Sequence, residues 1–319
     1  MIKKMNPQIS IIIPAFNAEK CIERCVESLL KQTFKDIEVI IVDDGSTDGT
    51  AAICDRLQMF DSRVRVSHKA NGGVSAARNH GIEKARSNHI MFVDADDYAD
   101  ALYCEEMYAK YSENSADLVI CGYRNIYADN GNSVNILPEN IEPLSENTIQ
   151  QMFRTSFINM PWAKLYKKEC IQQLFNTQRT MGEDFEFNIK YLEGIGKIDV
   201  VNRVLYNYDT SSNSGLTSNK SLILSVIAKD YILVDDFLKK KSVAYTSADF
   251  LYNRLKSYLK ISSKEQYRNF VKYAKEINND KELYNLVKNH NGRTNVDRIT
   301  RYLILEKHYR TLYLLLKRK

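Results

Sequence analysis

The segment DADD, residues 94–97, follows directly on the apolar run Ile90, Met91, Phe92 and Val93 and places three carboxylates within four positions. Like charges this close oppose one another's ionisation, so a cation or water has to relieve them. Mg²⁺ and Mn²⁺ are hard ions that take oxygen ligands, commonly one or two carboxylates together with substrate phosphates. A D-x-D at a strand's end supplies that set; a solvated acidic turn or a helix N-terminus is the plainer alternative. Three further segments carry chemically useful residues. VDDGSTDGT (42–50) pairs Asp43 with Asp44 before a glycine turn, with Ser46, Thr47 and Asp48 suited to helix capping. A carboxylate there can also accept from a ring N–H such as uracil N3. NGGVSAARNHG (71–81) sets two glycines before a helix start and Arg78 one turn in, so that backbone can approach a ligand and Arg can pair with phosphate or carboxylate. MGEDFEFN (181–188) puts Glu183 and Asp184 between Gly182 and aromatic residues, which by itself is an ordinary acidic helix start.

These segments need a frame that brings them together. ISIII (9–13), stopped by Pro14, and IEVIIV (37–42) read as buried β-branched strands, and Ile22, Cys25, Val26, Leu29 and Leu30 recur at helical spacing over 18–32. VRVSH (64–68), after a helix beginning near Asp48, and IMFV (90–93), after a helix over 74–85, continue the alternation. Such units give parallel strands with right-handed crossovers, and an open α/β sheet binds ligands beyond the carboxyl ends of its strands. The loops after the four strands read PAFN, DDGSTDG, KANGG and DADD, which assigns all four to one sheet edge. After Tyr98 come a helix (ALYCEEMYAKYSE), a strand (DLVICGY) and a polar stretch, 127–147, that reads as a loop or hairpin. From about Ser221 onward the pattern is helical, with Gly292 its only Gly or Pro, and the boundary falls near 216–220.

A chain of 319 residues can form one large domain or two smaller ones, and 44% hydrophobic residues with 20 Tyr and 12 Phe exclude disorder. There is no uncharged run of 18 residues, which argues against a transmembrane helix. Six cysteines without a CxxC pair, and no signal-peptide pattern, predict a reduced, cytoplasmic setting; Cys21 and Cys25 read as small buried hydrophobes rather than metal ligands. The net charge of +5 conceals a division: residues 1–215 sum to −7 and residues 216–319 to +12.

Taken together, ISIIIPAFNAEKCIERCVESLLKQTFKDIEVIIVDDGSTDGT, NGGVSAARNHGIEKARSNHIMFVDADD, PWAKLYKK and GEDFEFN resemble the family 2 glycosyltransferases of the GT-A fold, in particular bacterial enzymes that build capsular and other surface polysaccharides. The resemblance covers about residues 8–210. It implies an α/β, Rossmann-like nucleotide-sugar-binding sheet followed by a mostly α-helical C-terminal region. The corresponding division is a catalytic domain over 1–217, with a nucleotide-binding half at about 8–98 and an acceptor-side half at about 99–217, then a basic helical region over 218–319.

Carried onto this chain, the resemblance implies that Pro14, Ala15 and Phe16 line the nucleotide pocket and that Asp44 accepts from the uracil ring. Arg78 contacts the nucleotide or diphosphate, Asp94 faces the ribose, Asp96 ligates Mn²⁺ or Mg²⁺, and Asp184 is the general base. Asp97 is an extra acid without an assigned role, and Trp162 lies on the acceptor side or is a partly buried aromatic. The implied reaction is inverting, metal-dependent transfer of a hexose or N-acetylhexosamine from UDP-galactose, UDP-glucose or UDP-N-acetylglucosamine to a saccharide hydroxyl, with a lipid-linked acceptor. An inactive sugar-nucleotide-binding or scaffold subunit is the alternative. A nucleotide-sugar pyrophosphorylase would carry a glycine-rich loop after the first strand, and IPAFNAEKC has no glycine. An NAD enzyme is disfavoured because no GxGxxG follows that strand. The C-terminal mixture of Leu303, Leu305, Leu312, Leu314, Leu315 and Leu316 with Arg301, Lys307, Arg310, Lys317, Arg318 and Lys319 suits either an anionic membrane surface or packing within its own domain or on a second subunit, as in a homo-oligomer. The first of these makes the chain peripheral on the inner face of the membrane. No nucleic-acid-binding motif is present.

Overall fold

The computed structural model describes residues 6–127, 132–138, 146–155, 157–210, 220–243, 247–264, 266–291 and 294–317. It divides into two compact units, Met1–Ser214 and Gly215–Lys319.

In the first unit, β1 (Ile9–Ala15), β2 (Ile37–Asp43), β3 (Val64–His68) and β4 (His89–Phe92) run parallel in the order β3-β2-β1-β4. The helices α1 (Ile22–Leu30), α2 (Thr50–Phe60) and α3 (Val74–Lys84) make the crossovers. β1 and β2 are buried at every position, as their unbroken β-branched sequences require of strands covered on both faces. Pro14 does not end β1. It stays in register with Val42 of β2, while the pairing of β1 with β4 stops at Ile12, so the missing N–H interrupts no ladder on that side. Gly81 lets α3 lie close on β1, because a Cβ there would collide with Ile12 Cγ2.

Among the described residues the sheet then continues through further strands. They are β5 (Tyr98–Ala99), β6 (Leu118–Ile126), β7 (Ser133–Ile136), β8 (Lys164–Lys167) and β9 (Ile198–Asp209), and the complete order is β3-β2-β1-β4-β8-β6-β9-β5 with β7 on β6. Of these the sequence pattern announces β6, read from DLVICGY, but not β5, β8 or β9. β8 pairs antiparallel with both β4 and β6, β9 lies parallel to β6, and β5 is antiparallel to β9. The antiparallel β6–β7 pairing makes part of the 127–147 stretch a hairpin; residues 128–131 and 139–145 lie outside the described residues. Helix α4 (Tyr103–Asn114) follows β5, α5 (Glu146–Arg154) precedes β8, and α6 (Glu183–Glu193) precedes β9. An aromatic core, with Phe175 stacked on Phe187 at 4.0 Å and Phe92 edge-on to both, ties α6 to β4.

The second unit is helical: α7 (Lys220–Lys240), α8 (Ser247–Ser262), α9 (Tyr267–Asn279), α10 (Lys281–Asn289), α11 (Asn295–Leu305) and α12 (Tyr309–Lys317). The final leucine-rich stretch is therefore two helices, separated at 306–308, where Lys307 takes a positive φ of 60°. Leu303, Leu312 and Leu316 are buried in their own unit, whereas Tyr302 and Leu314 are about half exposed. No helix among the described residues is long and apolar enough to cross a membrane.

Candidate active site

Because β1 to β4 are parallel, their carboxyl ends share one edge, and hydrogen bonds link the loops there. Asn17, just after β1, donates its N–H to Ser46 Oγ at 3.0 Å and accepts the Thr47 N–H on its side chain at 2.9 Å. The adjacent acids Asp43, which ends β2, and Asp44, which follows it, point to different partners. Asp43 accepts the Ser46 N–H (3.1 Å) and faces His68 Nδ1 (2.8 Å). Asp44, 2% exposed, accepts the N–H groups of Gly72 (3.0 Å) and Gly73 (2.7 Å) and pairs with Lys69. The two glycines thus cradle a carboxylate of the protein itself. Gly45, at φ 75°, permits the turn between them, since a Cβ there would press on the Asn71 backbone. Pro14 and Ala15 are the buried end of β1, and Phe16 stands 51% exposed at the edge.

Past β4, the three carboxylates of DADD separate. Asp94 pairs through Oδ1 with Arg78 Nη2 at 2.9 Å. Asp97 turns inward, fully buried, where it accepts the Tyr206 hydroxyl at 2.6 Å and the Asp209 N–H at 2.9 Å. Burial and the neighbouring Asp94 charge push its pKa well above the usual carboxylate range. Asp96 is partly exposed, and its carbonyl oxygen accepts Arg24 Nη2 at 2.5 Å. Asp94 and Asp96 are hard oxygen donors on a turn whose third acid is already engaged. This donor chemistry fits Mn²⁺ or Mg²⁺ completed by water and a diphosphate; among the described residues no group of three metal-ligating side chains forms an all-protein cage.

Arg78 joins this turn to Asp184. Its side chain is 3% exposed, with Nη1 2.5 Å from Asp184 Oδ1 and the guanidinium over the Phe175 ring. Burial works against its charge, but the Asp184 and Asp94 carboxylates more than compensate, so it stays protonated. Asp184 lies in the first turn of α6, after Gly182 in the left-handed region, and keeps 23% of its side-chain surface open. Burial pushes its pKa up to about 7; Arg78 pulls it down, while Glu183 and Asp94 add to the rise. One turn on, Asn188 donates to the carbonyls of Ile158 and Met160, both at 3.0 Å. Lys164 Nζ reaches the Met160 carbonyl at 2.7 Å, and burial lowers its pKa to about 7. These bonds fix the segment that carries Trp162, which is 4% exposed and stacked on Tyr206 at 4.7 Å.

The structure thus brings Asp44, Arg78, Asp94, Asp96 and Asp184 to one sheet edge and its adjoining helices. Sequence reasoning missed Lys69, Arg24, Tyr206, Asn188 and Lys164, because each acts through a partner supplied by a different element or a segment fixed only in the fold. Residues 10–175 match the family model for glycosyl transferase family 2. The chain belongs to that family. Over 220 residues it is 34% identical to EpsJ of Bacillus subtilis, described as an uncharacterized glycosyltransferase, covering 66% of this chain and 63% of EpsJ. Over 221 residues it is 36% identical to the glycosyltransferase GlyG of Streptococcus pneumoniae, covering 66% of this chain and 73% of GlyG. The matched span is thus a little under two thirds of EpsJ. The crystal structure of S. aureus TarS in complex with UDP-GlcNAc superposes with a TM-score of 0.69 at 20% identity, over 98% of this chain and 91% of that one. That likeness bears out the expected GT-A fold.

Proposed function

We propose that this family 2 member is an inverting, metal-dependent glycosyltransferase that moves a hexose or N-acetylhexosamine from a UDP-sugar to a hydroxyl of a saccharide acceptor, in the making of a surface polysaccharide. The observation that carries the reading is the Arg78 bridge, which puts the D-x-D turn and the Asp184 carboxylate at either end of one buried guanidinium. UDP-GlcNAc in the structurally similar TarS supports a uridine diphosphate donor.

In this reading Asp44, with Phe16 and the ends of β1 nearby, receives the uracil N3–H, and Asp94 faces the ribose. Asp96, with Asp94 beside it, would hold Mn²⁺ or Mg²⁺, whose chemistry when bound is to stabilise negative charge on the departing diphosphate. Asp184 takes the proton from the acceptor hydroxyl as its oxygen bonds to the anomeric carbon, and UDP leaves with the electron pair of the breaking C–O bond. One displacement inverts that carbon. A carboxylate with a pKa near 7 is a stronger base than an exposed aspartate and is still substantially ionised at neutral pH. The basic second unit would keep the enzyme at an anionic membrane surface, where a lipid-linked acceptor resides.

The test is UDP release from UDP-galactose, UDP-glucose and UDP-N-acetylglucosamine, with and without Mn²⁺, against saccharide acceptors. Asp184→Asn should lose about 10²–10⁴-fold in transfer while keeping UDP binding by titration calorimetry, whereas Asp96→Asn should weaken the Mn²⁺-dependent part of that binding. Full turnover by Asp184→Asn would remove the base assignment. No release with any donor would favour an inactive nucleotide-binding or scaffold subunit.

A further inference from the structure

Asp97 and Tyr206 take no part in the reaction just described, yet both are fully buried beneath the D-x-D turn. The Tyr206 hydroxyl uses both of its capacities there: it accepts the Asp94 N–H at 3.2 Å and donates to Asp97 Oδ2 at 2.6 Å. Its ring cannot drift, because Trp162 lies flat against it, with planes 3° apart, and β9 pairs with Tyr123 on one side and Ala99 on the other. Asp97 Oδ1 takes the Asp209 N–H, Asp209 pairs with Arg24 Nη1 at 2.8 Å, and Arg24 Nη2 returns to the Asp96 carbonyl. The turn is therefore held at the Asp94 amide, the Asp96 carbonyl and the Asp97 side chain. None of these three points is a carboxylate of Asp94 or Asp96. A turn whose acids repel one another would otherwise splay, and a diphosphate site tolerates little displacement of its ligands.

Resting on the donor-site reading above, we propose that Tyr206 and Asp97 are positioning residues that fix the Asp94–Asp96 turn for the UDP diphosphate, acting from β9 through the Asp94 amide and the Asp97 carboxyl. Removing the hydroxyl in Tyr206→Phe leaves the ring stack in place but strips a buried carboxyl and a buried amide of their partner. Asp97→Asn keeps the size of the side chain but offers one acceptor instead of two, so its NH₂ faces either the Tyr206 hydroxyl or the Asp209 N–H, both of which donate there.

Titration calorimetry of UDP with Mn²⁺ on the full chain tests this, alongside donor KM and kcat. Trp162 is the chain's only tryptophan, so its emission reports whether the stack survives. Both variants should bind UDP–Mn²⁺ at least about tenfold more weakly, as expected when a buried polar group is left without its hydrogen-bond partner. Donor KM should rise more than kcat falls, with Trp162 emission unchanged. Tyr252→Phe, which removes a buried hydroxyl from the helical unit, controls for general loss of stability. Wild-type affinity in both variants, or equal weakening in Tyr252→Phe, overturns the inference; if Tyr206→Phe fails to fold, Asp97→Asn decides. A wild-type protein that does not bind UDP–Mn²⁺ refutes instead the donor-site reading on which it rests.

Discussion

Arg78 sits between two acids with different tasks, and this predicts how the reaction depends on pH. Burial first, then Glu183 and Asp94, raise the Asp184 pKa to about 7, and Arg78 and Lys164 restrain the rise. Asp184 accepts a proton only when ionised, so kcat/KM should fall as pH drops below about 7 and level off above it. Arg78→Gln removes the larger restraint, so the acid limb should move to higher pH; a pH–rate profile whose limb stays in place would disconnect Arg78 from the base. Much of this site was legible in the sequence. Asp44, Asp94, Asp96 and Asp184 each lie beside a glycine, a strand end or another acid, and those are local signals. Tyr206 and Arg24 carry none, because they meet the D-x-D segment from 112 and 72 residues away. Trp162 reads locally as an acceptor-side or partly buried aromatic, and β9, through Tyr206 and Tyr208, shows it to be covered.

At the level of elements, the parallel half of the sheet and β6 followed from short apolar runs, whereas β5, β8 and β9 did not. β8 and β9 contain Lys164, Asn202, Arg203 and Asn207, which dilute any apolar alternation, and their pairing is set by contacts distant in sequence. The position of Arg78 depends on how closely α3 approaches β1, and that approach is possible only with glycine at 81. Gly81→Ala should therefore overpack the contact with Ile12 and cost about 1–3 kcal/mol in denaturant unfolding. Asp184 should lose its pairing at the same time, which would appear as a shifted acid limb rather than as lost expression alone. The split of the last leucine-rich stretch into α11 and α12 likewise came from outside the local pattern. Its leucines repeat at helical spacing throughout, and the left-handed Lys307 is what divides them.

For the molecule as a whole, the first unit is acidic and the second basic, and the proposed function gives the basic one an anionic membrane surface as its partner. Because Leu303, Leu312 and Leu316 are buried, the proposed membrane attraction would fall mostly to exposed cations such as Lys307 and Arg310, assisted by Tyr302 and Leu314. Lys307→Gln with Arg310→Gln should then weaken co-sedimentation with anionic liposomes at low salt by roughly thirtyfold, at about 1 kcal/mol for each charge. UDP release with a soluble acceptor should be unchanged, and equal binding to neutral liposomes would argue against an electrostatic dock. The location of β9 has one more effect, on the order in which the protein acquires competence as it is made. The ribosome delivers residues 94–97 more than a hundred positions before Tyr206 and Asp209, so a nascent chain that already displays the complete D-x-D still lacks the floor beneath it. Until β9 slots between β6 and β5, the Asp97 carboxyl and the Asp94 amide stand without their partners, and the growing chain has the letters of its motif before it has the floor that holds them.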